Sequence, residues 1–171
     1  GMQGISVQNT RGKLLLDKTE ANADITSFIG GSKLSAKAVV KNDTANVSVD
    51  IPKLNLNDIT PNKNDLQKEM GNILLNVKAG YKGNIKEVEY DKVNFVADIL
   101  GTTPENKLKL SNGRISLKHN KLSVSNLHGA LGDAAGNFDV NLNADNVSEK
   151  PNINGNIKLT NFALSNITGL A

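Results

Sequence analysis

Apolar and polar residues alternate along most of this chain with a period of two. Leu14 and Leu16 begin the pattern, followed by Ala21, Ala23 and Ile25, by Leu34, Ala36, Ala38 and Val40, and by Val47, Val49 and Ile51. It resumes with Ile73, Leu75, Val77, Ala79 and Tyr81, then Val93, Phe95, Ala97 and Ile99, then Leu108 and Leu110. Ile115 and Leu117, Leu122 and Val124, Phe138, Val140, Leu142 and Ala144, and Ile153, Ile157 and Leu159 complete it. Successive side chains of a strand point to opposite faces, so each set predicts a strand buried on one side only. Together they predict an all-β fold, an antiparallel meander with one apolar face and one or two short helices.

Turn chemistry separates the sets. Thr10-Arg11-Gly12, Gly30-Gly31-Ser32, Lys41-Asn42-Asp43, the stretch from Gly80 to Gly83, Thr103-Pro104-Glu105-Asn106, Ser111-Asn112-Gly113 and His119-Asn120 carry the residues that tight hairpins favour. Val88 and Tyr90 fall on even positions and Val93 and Phe95 on odd ones, a change of parity that predicts a β-bulge near Asp91-Lys92. Residues 61–71 break the alternation. Pro61 stands near the front, Asn64 and Gln67 have capping-box spacing, Leu66 and Met70 are four apart and Gly71 follows, which predicts a short helix.

The chain also repeats itself. Gly12-Lys13-Leu14-Leu15-Leu16, the paired Gly30-Gly31 and the stretch from Ile51 to Thr60 return as Gly113-Arg114-Ile115-Ser116-Leu117, the turn from Gly129 to Gly132 and the stretch from Leu159 to Thr168. The organisation read from this is a first β-repeat over residues 3–60, a helical linker over 61–71, and a second β-repeat over 72–171 that ends in a short apolar segment. A unit repeated in this way stacks on, or continues into, its neighbour to cover its apolar face. With so little helix to serve as a second layer, the sheets form either a curved, taco-like groove or an open sandwich built from the two repeats.

Composition narrows the function classes. The 171 residues include no Cys and no Trp, and aromatic residues make up only 4%. That excludes a disulfide scaffold and a thiolate metal site, and leaves few platforms on which bases could stack. The net charge of +3 comes from lysines scattered singly along strands, without the basic run of a nucleic-acid groove, so no nucleic-acid partner is expected. Gly1 ahead of Met2 reads as a remnant of tag cleavage and is left out of the fold.

Candidate chemistry is sparse. His119 and His128 have no acidic or serine partner at a telling spacing and read as turn or surface residues. Asp139, Asn141, Asn143 and Asp145 alternate with Phe138, Val140, Leu142 and Ala144, so they line the polar side of a strand instead of wrapping a calcium ion. Gly129, Gly132 and Gly136 lack the lysine and the helix of a phosphate loop. No catalytic, cofactor-binding or metal-ligating residue is assigned, and the chain is read as a non-enzyme without a cofactor.

From residue 113 to residue 170 the sequence resembles the C-terminal repeat of AsmA-like proteins. These are similar to TamB and to the wider group of bridge-like lipid-transfer proteins with repeating β-grooves. The resemblance is carried by Gly113-Arg114-Ile115-Ser116-Leu117 with Lys121-Leu122-Ser123-Val124, by Leu127-His128-Gly129-Ala130-Leu131-Gly132, by the alternating strand from Gly136 to Ala144, and by the stretch from Pro151 to Ile167. It implies a Gram-negative envelope protein in the periplasm, held at the inner membrane by an anchor outside this sequence and tied to outer-membrane biogenesis and phospholipid transport. Phospholipid acyl chains are then the expected partners, with envelope proteins as further ones. The candidate lipid-contact face is Leu34, Ala36, Ala38 and Val40 together with Phe138, Val140, Leu142 and Ala144. The alternative reading is a structural or protein-interaction β-sandwich module of a cell-envelope protein.

Overall fold

The computed structural model describes residues 7–59, 72–102, 108–131 and 136–161. Over these residues the alternating sets become ten strands: β1 (Val7–Leu16), β2 (Glu20–Ile29), β3 (Ser32–Lys41), β4 (Thr44–Asn55), β5 (Ile73–Asn84), β6 (Val93–Thr102), β7 (Leu108–Lys118), β8 (Lys121–Leu131), β9 (Asn137–Asp145) and β10 (Asn152–Thr160). They hydrogen-bond in sequence order, every pair antiparallel, into one sheet whose edges are β1 and β10. The predicted all-β meander is therefore the fold, and it is a single open sheet. β4 and β5 pair from Thr44↔Asn84 to Asn55↔Leu74, so the sheet runs unbroken past residues 60–71. The helix expected over 61–71, the turn at 103–106 and the closing segment at 162–170 lie outside the described residues.

Hairpin tips follow turn chemistry. His119 and Asn120 both take positive φ, at 51° and 59°, the two-residue geometry whose twist matches the flanking strands β7 and β8. Asn42 at the β3–β4 turn and Gly30 at the β2–β3 turn take positive φ as well.

Several expected turns are strand instead. Residues 10–12 lie inside β1, 80–83 inside β5, 111–113 inside β7, and 127–131 inside β8. In β5 the cause is Tyr81, which sits between Val47 and Val93 in the register while its hydroxyl donates to the Asn84 carbonyl (2.6 Å) and accepts from the Glu89 amide (3.1 Å). In β7 the register breaks between Leu110 and Asn112 and again between Asn112 and Arg114, so the turn-like residues are accommodated as irregularities of one strand. In β8, Gly129 is fixed by close approach: a Cβ there would stand 2.6 Å from the Phe138 ring and from the Lys109 carbonyl. The bulge expected near Asp91-Lys92 is a 3₁₀ turn, Tyr90–Lys92, which leads into β6 and accounts for the change of parity.

The best-buried apolar residues are Ala45, Ile51, Leu54, Ile73, Ala97 and Ile99, contributed by the central strands β4, β5 and β6. The Ser32 hydroxyl donates to Asp58 (3.0 Å) and accepts from the Asn55 amide (3.2 Å), which ties the β2–β3 hairpin to the 3₁₀ turn Leu56–Asp58. No large side chain is wholly buried among the described residues, as expected of one layer lacking a second.

Candidate functional site: an uncovered apolar face

Register decides which side chains share a face, and here it aligns the alternation of all ten strands. One cross-strand row reads Gly12, Ile25, Ala36, Val49, Ala79, Phe95, Leu117, Leu122, Ala144 and Ile153, one residue from each strand. A parallel row reads Ile51, Val77, Ala97, Ile115, Val124, Leu142 and Gly155. Neither row contains a polar side chain.

The expected lipid-contact residues all belong to this face and are half-buried. They do not form one pocket. Leu34, Ala36, Ala38 and Val40 lie on β3, and Phe138, Val140, Leu142 and Ala144 lie on β9, with five strands between them. At the usual inter-strand spacing that is roughly 29 Å. The two sets lie on opposite sides of a continuous surface, and the strands between them supply Val77, Phe95, Ala97, Ile115, Leu117 and Val124. The alternation marks these residues as clearly as the others, and only the register shows that they join the two sets.

Exposure rises from the middle of the face to its edges. Ala97 is 6% exposed and Ile51 7%, whereas Leu14 and Leu16 on β1 reach 64% and 74%, and Ile153 and Ile157 on β10 reach 67% and 61%. Among the described residues, each strand packs on its sequence neighbours and no second layer lies over the face.

The opposite face is polar and built from local pairs. Asp98 and Arg114, partners in the β6–β7 register, form a fork with Nε to Oδ1 at 2.6 Å and Nη2 to Oδ2 at 3.1 Å. The hydrogen bond from Arg114 holds the Asp98 carboxyl below the ordinary aspartate range, and Asp98 in turn raises Arg114. At the β5–β6 loop, the hydrogen bond from Lys92 lowers Glu89, which also accepts from the Asn84 amide (3.0 Å).

On β9 the polar residues from Asp139 to Asp145 each have their own neighbour. Asp139 meets His128, Asn141 accepts from the Asn126 amide (2.9 Å), Asn143 accepts from the Ser123 hydroxyl (2.9 Å), and Asp145 faces Lys121 (3.8 Å). His128 thus has the acidic partner that sequence spacing did not reveal, because β8 and β9 place it there by register. The Ser111 hydroxyl donates to the His128 carbonyl (3.2 Å) and not to its ring, so these residues do not make a nucleophile relay. No group of three or more His, Cys, Asp or Glu is gathered to hold a metal among the described residues.

Hollows beside these polar residues are lined by polar and apolar side chains alike. One of about 1040 Å³, near the β5–β6 loop, is lined by Lys82, Asn94, Arg114, Ser116 and Lys118 together with Phe95 and Leu117, and by none of the expected lipid-contact residues. A smaller one, about 340 Å³, is lined by Ser35, Lys37, Ser48, Asp50 and Lys78. The Asp50 Oδ1 atom is buried there without a hydrogen-bond partner, which fits a hydrated cleft. No family model, no curated protein and no solved structure matches this chain.

Proposed function

We propose that this chain is a non-enzymatic lipid-contact module, a periplasmic segment of an AsmA-like envelope protein whose apolar face receives phospholipid acyl chains. The reading rests on one observation above all: the row from Gly12 to Ile153 crosses every strand without a polar side chain and without a covering layer among the described residues. An apolar surface of this extent is ordinarily buried against another layer, a partner or a ligand. The resemblance of residues 113–170 to the AsmA-like repeat supports lipid as that ligand. The mechanism needs no covalent step. Tails lie along the Leu, Ile and Val side chains while headgroups stay in water.

Magnitude sets the tail length. Each buried methylene contributes about 0.8 kcal/mol, and immobilising a ligand costs at least about 4 kcal/mol. A tail of about six carbons that is half covered on an open face fails to offset that cost, and one of about sixteen carbons does so. Gently purified protein is therefore expected to carry phospholipid in native mass spectrometry, and fluorescent fatty acids of about sixteen carbons to bind where those of about six do not. Leu14→Asp with Ile25→Asp places two carboxylates at exposed positions of the apolar face, on β1 and β2, and is expected to weaken long-tail binding about tenfold while circular dichroism is unchanged. Absence of any tail-length dependence, or binding indifferent to the double substitution, overturns the reading.

A further inference from the structure

The two edges of the sheet differ. β1 has the devices that keep an edge from pairing: a register break between Gln8 and Arg11, and the cations Arg11 and Lys13. β10 lacks them. Its register with β9 is unbroken from Asn152↔Asp145 to Thr160↔Asn137, all nine of its residues are exposed, and its only charge is Lys158. Among the described residues no strand pairs with its outer side. A long, continuously paired, nearly uncharged edge is a template for another strand.

The sequence of β10 says which strand. Its residues read Asn152, Ile153, Asn154, Gly155, Asn156, Ile157, Lys158, Leu159 and Thr160. Laid antiparallel against itself with Asn156 opposite Asn156, it pairs Ile153 with Leu159 and Gly155 with Ile157 on the apolar face. On the polar face it pairs Asn152 with Thr160 and Asn154 with Lys158. Every residue of the strand is used and no apolar side chain meets a polar one.

Gly155 is fixed by β9 of its own chain: a Cβ there would stand 2.2 Å from the Asn141 carbonyl and 2.8 Å from the Leu142 side chain, so only glycine fits at its φ of +150°. The two Lys158 ammonium groups end four residue steps apart, about 14 Å, beyond the screening length at physiological salt. Joining β10 to β1 of another copy would instead bring Lys158 towards Arg11 and Lys13 across a broken register.

We propose that β10 is a self-pairing edge through which two copies of this chain join about a two-fold axis at Asn156, extending the apolar face without interruption from one copy into the other. Such a contact is isologous and closes at two copies. It is small beside standard interfaces, so the dimer is concentration-dependent.

Sedimentation velocity over a wide protein concentration range tests this, with hydrogen exchange at β10. The wild type is expected to pass from monomer to dimer, the β10 amides slowing as the dimer forms. Asn154→Asp creates two carboxylate–ammonium pairs per dimer and is expected to tighten it about fivefold. The double variant Asn154→Lys, Asn156→Lys sets like charges opposite one another at three positions and is expected to weaken the dimer about tenfold or more. Both substitutions fall on exposed polar positions, and circular dichroism should match the wild type. A monomer at all concentrations, a dimer that ignores both variants, or an open-ended polymer overturns the proposal.

Discussion

Asp98 and Arg114 show at the scale of single residues what the register contributes. Sixteen positions apart in sequence, they meet as a bidentate pair because β6 and β7 bring them opposite each other. Asp98 carries a lowered pKa, so the stability that the pair adds is present above the ordinary aspartate value of 3.8 and is lost as pH falls through the lower folded value. Arg114→Ala is therefore expected to melt below the wild type at pH 7, with the gap closing in acid strong enough to protonate the Asp98 carboxyl in the folded protein. Thermal melts at both pH values check this. A gap that persists in acid would assign the effect to lost packing of the arginine stem. Pairs of this kind, like His128 with Asp139, were not legible in the sequence. Spacing along the chain does not reveal a cross-strand partner until bulges and turns have fixed the register. Leu14, Ala36, Val140 and their counterparts were legible, because a period of two already places them on one face.

Strand existence followed from alternation at the scale of elements, but glycine misled wherever it served packing and not turning. Gly129 leaves room for Phe138, and the glycines near Tyr81 lie in a strand held by hydrogen bonds at that tyrosine's hydroxyl. The true turn at His119-Asn120 has a second role. The Asn120 side chain donates to Ser148 (2.9 Å) and Asn146 (3.2 Å) and accepts from the Ser148 amide (3.0 Å), fastening the β7–β8 hairpin to the loop after β9. Asn120→Gly keeps the positive φ and loses these bonds, an expected cost of about 1 kcal/mol. Asn120→Ala loses both and is expected to cost about 2 kcal/mol. Urea titration of the two variants separates backbone conformation from the side-chain fastening, and equal losses would show that positive φ is not strained here.

The scale of the whole molecule is where sequence alone left two arrangements open, a curved groove or two facing sheets, since alternation is the same in both. The pairing of β4 with β5 and of every other strand with its neighbours gives one open sheet, and with it an apolar face that the described residues leave uncovered. The eight candidate positions named from sequence lie on β3 and β9 of that face, and the five strands between them carry the same alternation. The neighbour-only order of the strands also bears on how the sheet is made. In many all-β folds a strand must wait for a partner far along the chain, and the entropy of closing that loop slows folding. Here each new strand finds its partner in the one just before it. The sheet can therefore grow in the order of synthesis, and a nascent chain halted partway already holds a finished, shorter version of the same surface.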